Sequence, residues 1–232
     1  MATTLKVSPV ATGKKAWKRV AARSAASPFS HVVHIREQPA DPPRVLAHLE
    51  RELPPGGVPA YLAARKTGAR SFVLWADARR RARLATVVTV SAGDGVSSYQ
   101  VLGGHGEVLG TVVREKACAG RGLRTRWTVT QTGCPEAVGF KGRIFWWYVW
   151  WPLFPLWAAL GVACVVGGGG DVPRGPRRIL WRAGGETPLE FRADGEVVVH
   201  ARWADQRLAA ALSALVLSFD SWLGMPWDNR PE

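Results

Sequence analysis

The chain has 232 residues, 47% of them hydrophobic, and a formal charge of +13. That much apolar material builds one good core, which excludes a disordered chain, and the length suits one globular domain with extensions. The charge is uneven: residues 1 to 90 hold 16 Lys/Arg against 5 Asp/Glu, and residues 91 to 232 hold 15 against 13. The basic first third points to an anionic partner, lipid headgroups or nucleic acid, although a solvated tail is the plainer source of the same excess. Cys118, Cys134 and Cys164 are too few and too scattered for a zinc site and leave one thiol over in any disulfide scheme, so a reducing compartment is expected. Lys14, Lys15, Lys18, Arg19 and Arg23 interrupt every apolar stretch of the first 30 residues, which argues against a secretory signal.

Residues 1–70 read as a basic, Pro-rich, weakly structured extension. Pro39, Pro42, Pro43, Pro54, Pro55 and Pro59 break any long element. Between them, Lys14 to Arg23 suits a short basic helix carrying Trp17 and Val20. A second helix is expected from Arg44 to Glu52, ended by Pro54-Pro55-Gly56-Gly57. From Ser71 the pattern turns to β: Phe72 to Trp75, Leu84 to Val90, Tyr99 to Leu102 and Val108 to Val113 are rich in Val, Thr, Leu and aromatic residues and are separated by Gly-containing turns. Arg126-Trp-Thr-Val-Thr-Gln131 alternates strictly, one face apolar and one polar. Leu189 to Arg192 and Glu196 to Trp203 flank a short Gly-ended turn, as in a hairpin.

Two apolar stretches interrupt the strands. Ile144 to Val166 runs 23 residues without a charge, holds Trp146, Trp147, Tyr148, Trp150, Trp151 and Trp157, and is followed by Gly167 to Gly170. As a helix it would reach about 34 Å, enough for a bilayer, with the aromatic residues as interfacial anchors. Pro152 and Pro155 fit a bent hairpin better than a straight span. The plainer reading is an apolar flap on the domain. Leu208 to Phe219 offers only 12 residues between Arg207 and Asp220. At about 18 Å it is too short to span and too apolar to stay exposed, so it is expected to be buried on all sides.

Strands ending in one that leads straight into an all-round apolar helix resemble the superfamily of phospholipid scramblases, LURP-one-related proteins and the tubby C-terminal domain. The resembling stretches are Tyr99 to Val113, Arg126 to Thr130 and Gly195 to Asp220. The resemblance implies a mainly β fold, a closed barrel over 71–224 around a central helix at 203–223, here interrupted by an apolar insert at 141–178 and followed by a tail at 225–232. It also implies a membrane-associated, non-enzymatic role on the cytoplasmic side. The basic phosphoinositide ligands of tubby-type domains find no counterpart here, nor does a scramblase calcium site.

The candidate anionic-surface residues are Lys14, Lys15, Lys18, Arg19 and Arg23, with Arg79, Arg80, Arg81 and Arg83 in a second run. A charged strand end that blocks aggregation explains the second run equally. Nucleic acid is the alternative partner, without a recognition motif beside the charge. Gly167 to Asp171 lacks the Gly-Lys-Ser/Thr of a phosphate loop. His105, His200 and Cys118 have no second ligand or base at a meaningful spacing, and Ser218 is expected to bond a helix carbonyl, so no catalytic set, metal or cofactor is indicated.

Overall fold

The computed structural model describes residues 2–9, 29, 31–38, 40–117, 122, 124–141, 178–192, 195–201, 203–219 and 226–229. Twelve strands close into one antiparallel barrel around a helix. In chain order they are β1 (Thr3–Pro9), β2 (His31–Arg36), β3 (Arg44–Arg51), helix α1 (Gly57–Thr67), β4 (Phe72–Trp75), β5 (Arg83–Gly93), β6 (Val96–Gly103) and β7 (Val108–Glu115). There follow β8 (Arg126–Gln131), β9 (Ala137–Lys141), β10 (Ile179–Ala183), β11 (Glu186–Phe191), β12 (Glu196–Val199) and helix α2 (Gln206–Phe219). Each strand pairs with its neighbours in sequence, and β1 closes the circle against β12, with Thr3 opposite Val199 and Leu5 opposite Val197.

Strand periodicity sorts the side chains. On β6, Tyr99 and Val101 point inward while Ser98 and Gln100 point out; on β8, Trp127 and Val129 are buried between the partly exposed Thr128 and Thr130. The interior is apolar, whereas the outer face mixes polar residues with exposed apolar ones such as Val90, Val108 and Phe140.

Helix α2 runs through the middle. Asp205 caps its start, its carboxylate accepting the Arg207 backbone N–H at 2.7 Å, and Gln131 fixes the approach by accepting from the Asp205 N–H at 2.8 Å and donating to the Trp203 carbonyl at 2.7 Å. Leu208 to Val216 are all buried. Ala210 and Ala214, one turn apart, leave the helix backbone close to the wall, and its nearest neighbours are β1, β5, β12, β7 and β6. On β8 to β10 the wall contributes Trp127 and Trp181, the two largest fully buried side chains. Both are opposite Gly139 in register, and a Cβ at Gly139 would come within 2.7 Å of Ile179 Cγ2 and 3.0 Å of Trp181 Cδ1, so glycine there leaves room for Ile179 and the Trp181 indole.

Three expectations are corrected. Residues 3–9, 31–36 and 44–51 are strands of the barrel rather than part of a loose extension, because Leu5, Val33, Ile35, Ala47 and Leu49 supply its inner face. The stretch expected as a helix from Arg44 is β3: Ala47 and Leu49, two residues apart, face the core, and pairing with β2 and β4 outweighs the helix preference of Leu, Ala and Glu. The segment expected as a tail brings Trp227 and Asp228 into the core, the Trp227 indole N–H donating to the Ala214 carbonyl at 2.8 Å. The expected basic helix at Lys14 to Arg23 and the apolar run 144–166 lie outside the described residues.

Leu215 is fully buried on α2. Leu215→Asp would bury an unpaired carboxylate at a cost of several kcal/mol, comparable to the whole stability of an ordinary domain. Urea denaturation and near-UV circular dichroism should show an unfolded or molten protein, and a cooperative native-like transition would contradict the central placement of α2.

Candidate functional site

Antiparallel closure sends successive connections to alternate ends of the barrel. One end, here the α1 end, receives the connections 10–30, 52–71, 94–95, 116–125, 142–178 and 192–195, and α2 finishes there. The opposite end receives 37–43, 76–82, 104–107, 132–136, 184–185 and 200–205. The apolar insert and the basic 10–30 connection therefore leave and rejoin the barrel at the same end. Lys141 and Ile179, the strand residues on either side of the insert, are direct partners in the β9–β10 ladder, so a run of more than thirty residues begins and ends at adjacent points.

The residues proposed from sequence divide between the two ends. Lys14, Lys15, Lys18, Arg19 and Arg23, and Trp146, Trp147, Tyr148, Trp150, Trp151 and Trp157, lie outside the described residues, in connections of the α1 end. Arg79, Arg80, Arg81 and Arg83 stand at the opposite end. There the Asp77 carboxylate accepts the backbone N–H groups of Arg79, Arg81 and Ala82. Arg80 pairs with Glu50 and lies over the Phe29 ring at 5.3 Å, and Arg83 lies over Trp75 at 5.3 Å. Much of this run is spent on tying the β4–β5 connection to the wall, at the end of the barrel opposite to the junction of β9 and β10 with residues 142–178.

At the α1 end a buried ionic cluster holds the end of α2. Asp228 is fully buried and accepts from Arg65 Nε and from an Arg65 terminal nitrogen, each at 2.8 Å, and from the Tyr61 hydroxyl at 3.2 Å; Arg70 Nε lies 3.1 Å away. Arg65 and Arg70 both donate to the Ser218 carbonyl, at 2.5 and 3.4 Å, placing two cations on the carbonyl end of the helix. The Ser218 hydroxyl donates to the Leu215 carbonyl at 2.7 Å, as expected from its helical position. Phe219 is held between the guanidinium groups of Arg70 at 4.0 Å and Arg114 at 4.1 Å. Burial pushes Arg70 down to about 10, partly offset by Asp228, so it stays a cation at neutral pH. Burial, and then the Asp228 charge, push the Tyr61 hydroxyl up. These groups saturate one another, which makes the cluster a latch closing the barrel rather than a reactive set. Arg65 and Asp228 are 163 residues apart in the chain, so no local pattern announced them.

A second hub lies beside the point where the insert rejoins the wall. Glu190, opposite Leu180 in the ladder and nearly buried, is met by Arg178 at 2.9 Å, Arg192 at 3.4 Å and His200 at 3.5 Å. Burial raises its carboxyl, but Arg178 and Arg192, helped by a hydrogen bond from His200, hold it below the usual carboxylate range.

Cys134 is a partly exposed free thiol next to the Gln131 amide at 3.3 Å, and His105 is exposed in the β6–β7 turn. Among the described residues no His, Cys, Asp and Glu group is arranged to hold a metal ion, and no helix is long and apolar enough to cross a membrane. A cavity of about 10 Å³ between α2 and the wall, lined by Val129, Ala137, Leu189 and Leu208, has room for one water. No family model, curated protein or solved structure matches the chain.

Two outcomes follow. Asp228→Asn leaves two buried guanidinium groups without their counter-charge and should cost about 3–5 kcal/mol in chemical denaturation; a loss below about 1 kcal/mol would mean that the cluster holds nothing together. For Glu190, a depressed folded value means stabilisation that is present above the unfolded carboxyl value and lost as pH falls through the folded one. The wild type should therefore exceed Glu190→Gln in stability at neutral pH, with the gap closing as pH drops well below the usual carboxylate range. A gap that stays constant with pH would show that the carboxylate charge contributes nothing.

Proposed function

We propose that this protein is a non-enzymatic module that associates with the cytoplasmic side of a membrane and binds or tethers lipid. The observation that carries the reading is the pairing of Lys141 with Ile179: the 37-residue connection between them, whose sequence contains the 23-residue uncharged run, leaves and rejoins one end of the barrel at adjacent ladder positions. A segment with that composition dips into a bilayer as a bent hairpin without separating the strands on either side of it. Basic residues flank it, Lys141 and Arg143 before and Arg174, Arg177 and Arg178 after, which favours both ends on one face of the membrane. The aromatic residues Trp146, Trp147, Tyr148, Trp150, Trp151 and Trp157 are the proposed interfacial anchors.

The barrel threaded by a C-terminal helix supports the proposed relation to the scramblase, LURP-one-related and tubby superfamily. The superfamily's ligands are not carried over, because no residue of this chain aligns with them.

Because Lys141 and Ile179 are already ladder partners, residues 142–177 can be replaced by Asn-Gly, which with Arg178 leaves a three-residue connection, a common hairpin length. The shortened protein should keep the barrel, judged by thermal denaturation and circular dichroism, and lose most of its flotation with phosphatidylcholine and phosphatidylserine vesicles. Undiminished flotation would refute the tether.

A further inference from the structure

We propose that the α1 end is the face the barrel turns toward an anionic bilayer, so that α2 points its carbonyl end at the lipid and Arg79 to Arg83 point away. This rests on the membrane reading above and adds an orientation to it. Among the described residues, the connections of the α1 end carry seven Lys/Arg against two Asp/Glu, and those of the opposite end carry three against six. Asp228, which follows α2, is buried against Arg65 and Arg70. The described cations are thus in excess at one end of the barrel, although they come from connections spread from residue 65 to residue 192.

Charge complementarity selects the occupant. Exposed cations such as Lys66 and Lys116, at the end where β9 finishes and β10 begins on either side of an uncharged Trp-rich sequence, match an anionic lipid surface, which takes cations at its headgroups and apolar residues among its acyl chains. A nucleic acid would use the cations and leave the apolar segment without a partner. Distance supports the asymmetry. Helix α2 with its 14 residues is about 21 Å long, and screening in physiological salt acts over about 8 Å, so a membrane at the α1 end scarcely senses the opposite end.

Two double variants of the full chain change its charge by the same amount at opposite ends. Lys66 and Lys116 are exposed on connections of the α1 end, and Arg79 and Arg81 are exposed on the β4–β5 connection. Each basic residue near an anionic surface strengthens attachment about fivefold, so Lys66→Glu with Lys116→Glu should weaken binding to phosphatidylserine-containing vesicles by about 25-fold or more. Arg79→Glu with Arg81→Glu should change it by less than about twofold. Thermal denaturation checks that both variants are folded. Equal losses from the two variants, or none from the first, would overturn the orientation while leaving the tether standing if replacement of 142–177 still abolishes flotation. A duplex oligonucleotide that displaces the protein from vesicles, and whose binding the first variant abolishes, would overturn it in favour of nucleic acid.

Discussion

A closed barrel of twelve strands is wider than its own inward side chains can fill; about eight strands is the size at which they suffice. The remaining volume must be occupied by something apolar on every side, and α2 is that filler. From Leu208 to Val216 it has no polar face apart from Ser213, and its alternation of Ala with Leu and Val lets the backbone lie close to β1 and β5 while Trp127 and Trp181 fill the wider gap on the other side. Closure of β1 on β12 and threading of α2 depend on each other. Without the helix the inner faces of both strands would surround a void, and without closure the helix would lie exposed along a sheet edge.

Such a helix needs both ends secured. Asp205 and Gln131 hold the start by neutral and single-charge hydrogen bonds at the surface, whereas the finish is held by a buried set of two arginines, a carboxylate and a tyrosine around the Ser218 carbonyl. Two guanidinium groups, one carboxylate and the helix carbonyls satisfy one another, which is the condition under which buried charges can be kept. The latch also explains why the chain continues after α2. Trp227 packs edge-on to Phe72 at 5.3 Å and bonds the Ala214 carbonyl, so residues 226–229 serve as the stopper of that end.

The meander topology turns a linear sequence into a two-ended object. Alternate connections accumulate at alternate ends, and among the described residues one end carries an excess of Lys and Arg while the other carries an excess of Asp and Glu. The hub of Glu190 with Arg178, Arg192 and His200 ties Arg178, the residue just before β10, to the wall.

What the sequence determined by itself was whatever is written locally. β-rich composition between Gly-containing turns located β4 to β7, strict alternation located β8, a hairpin pattern located β11 and β12, and the all-round apolar character of Leu208 to Phe219 required a buried helix. Strands β1, β2 and β3 were not legible, because Lys6, Arg36, Arg44 and the surrounding prolines obscure a two-residue pattern whose meaning comes only from partners elsewhere in the chain, such as Val199 for Thr3. Tertiary structure alone decided the latch, since Arg65, Arg70, Tyr61 and Asp228 have no common spacing. It alone also decided that Arg79 to Arg83 and the insert belong to opposite ends, because the end to which a connection belongs depends on how many strands precede it, and that count required the strands the sequence conceals.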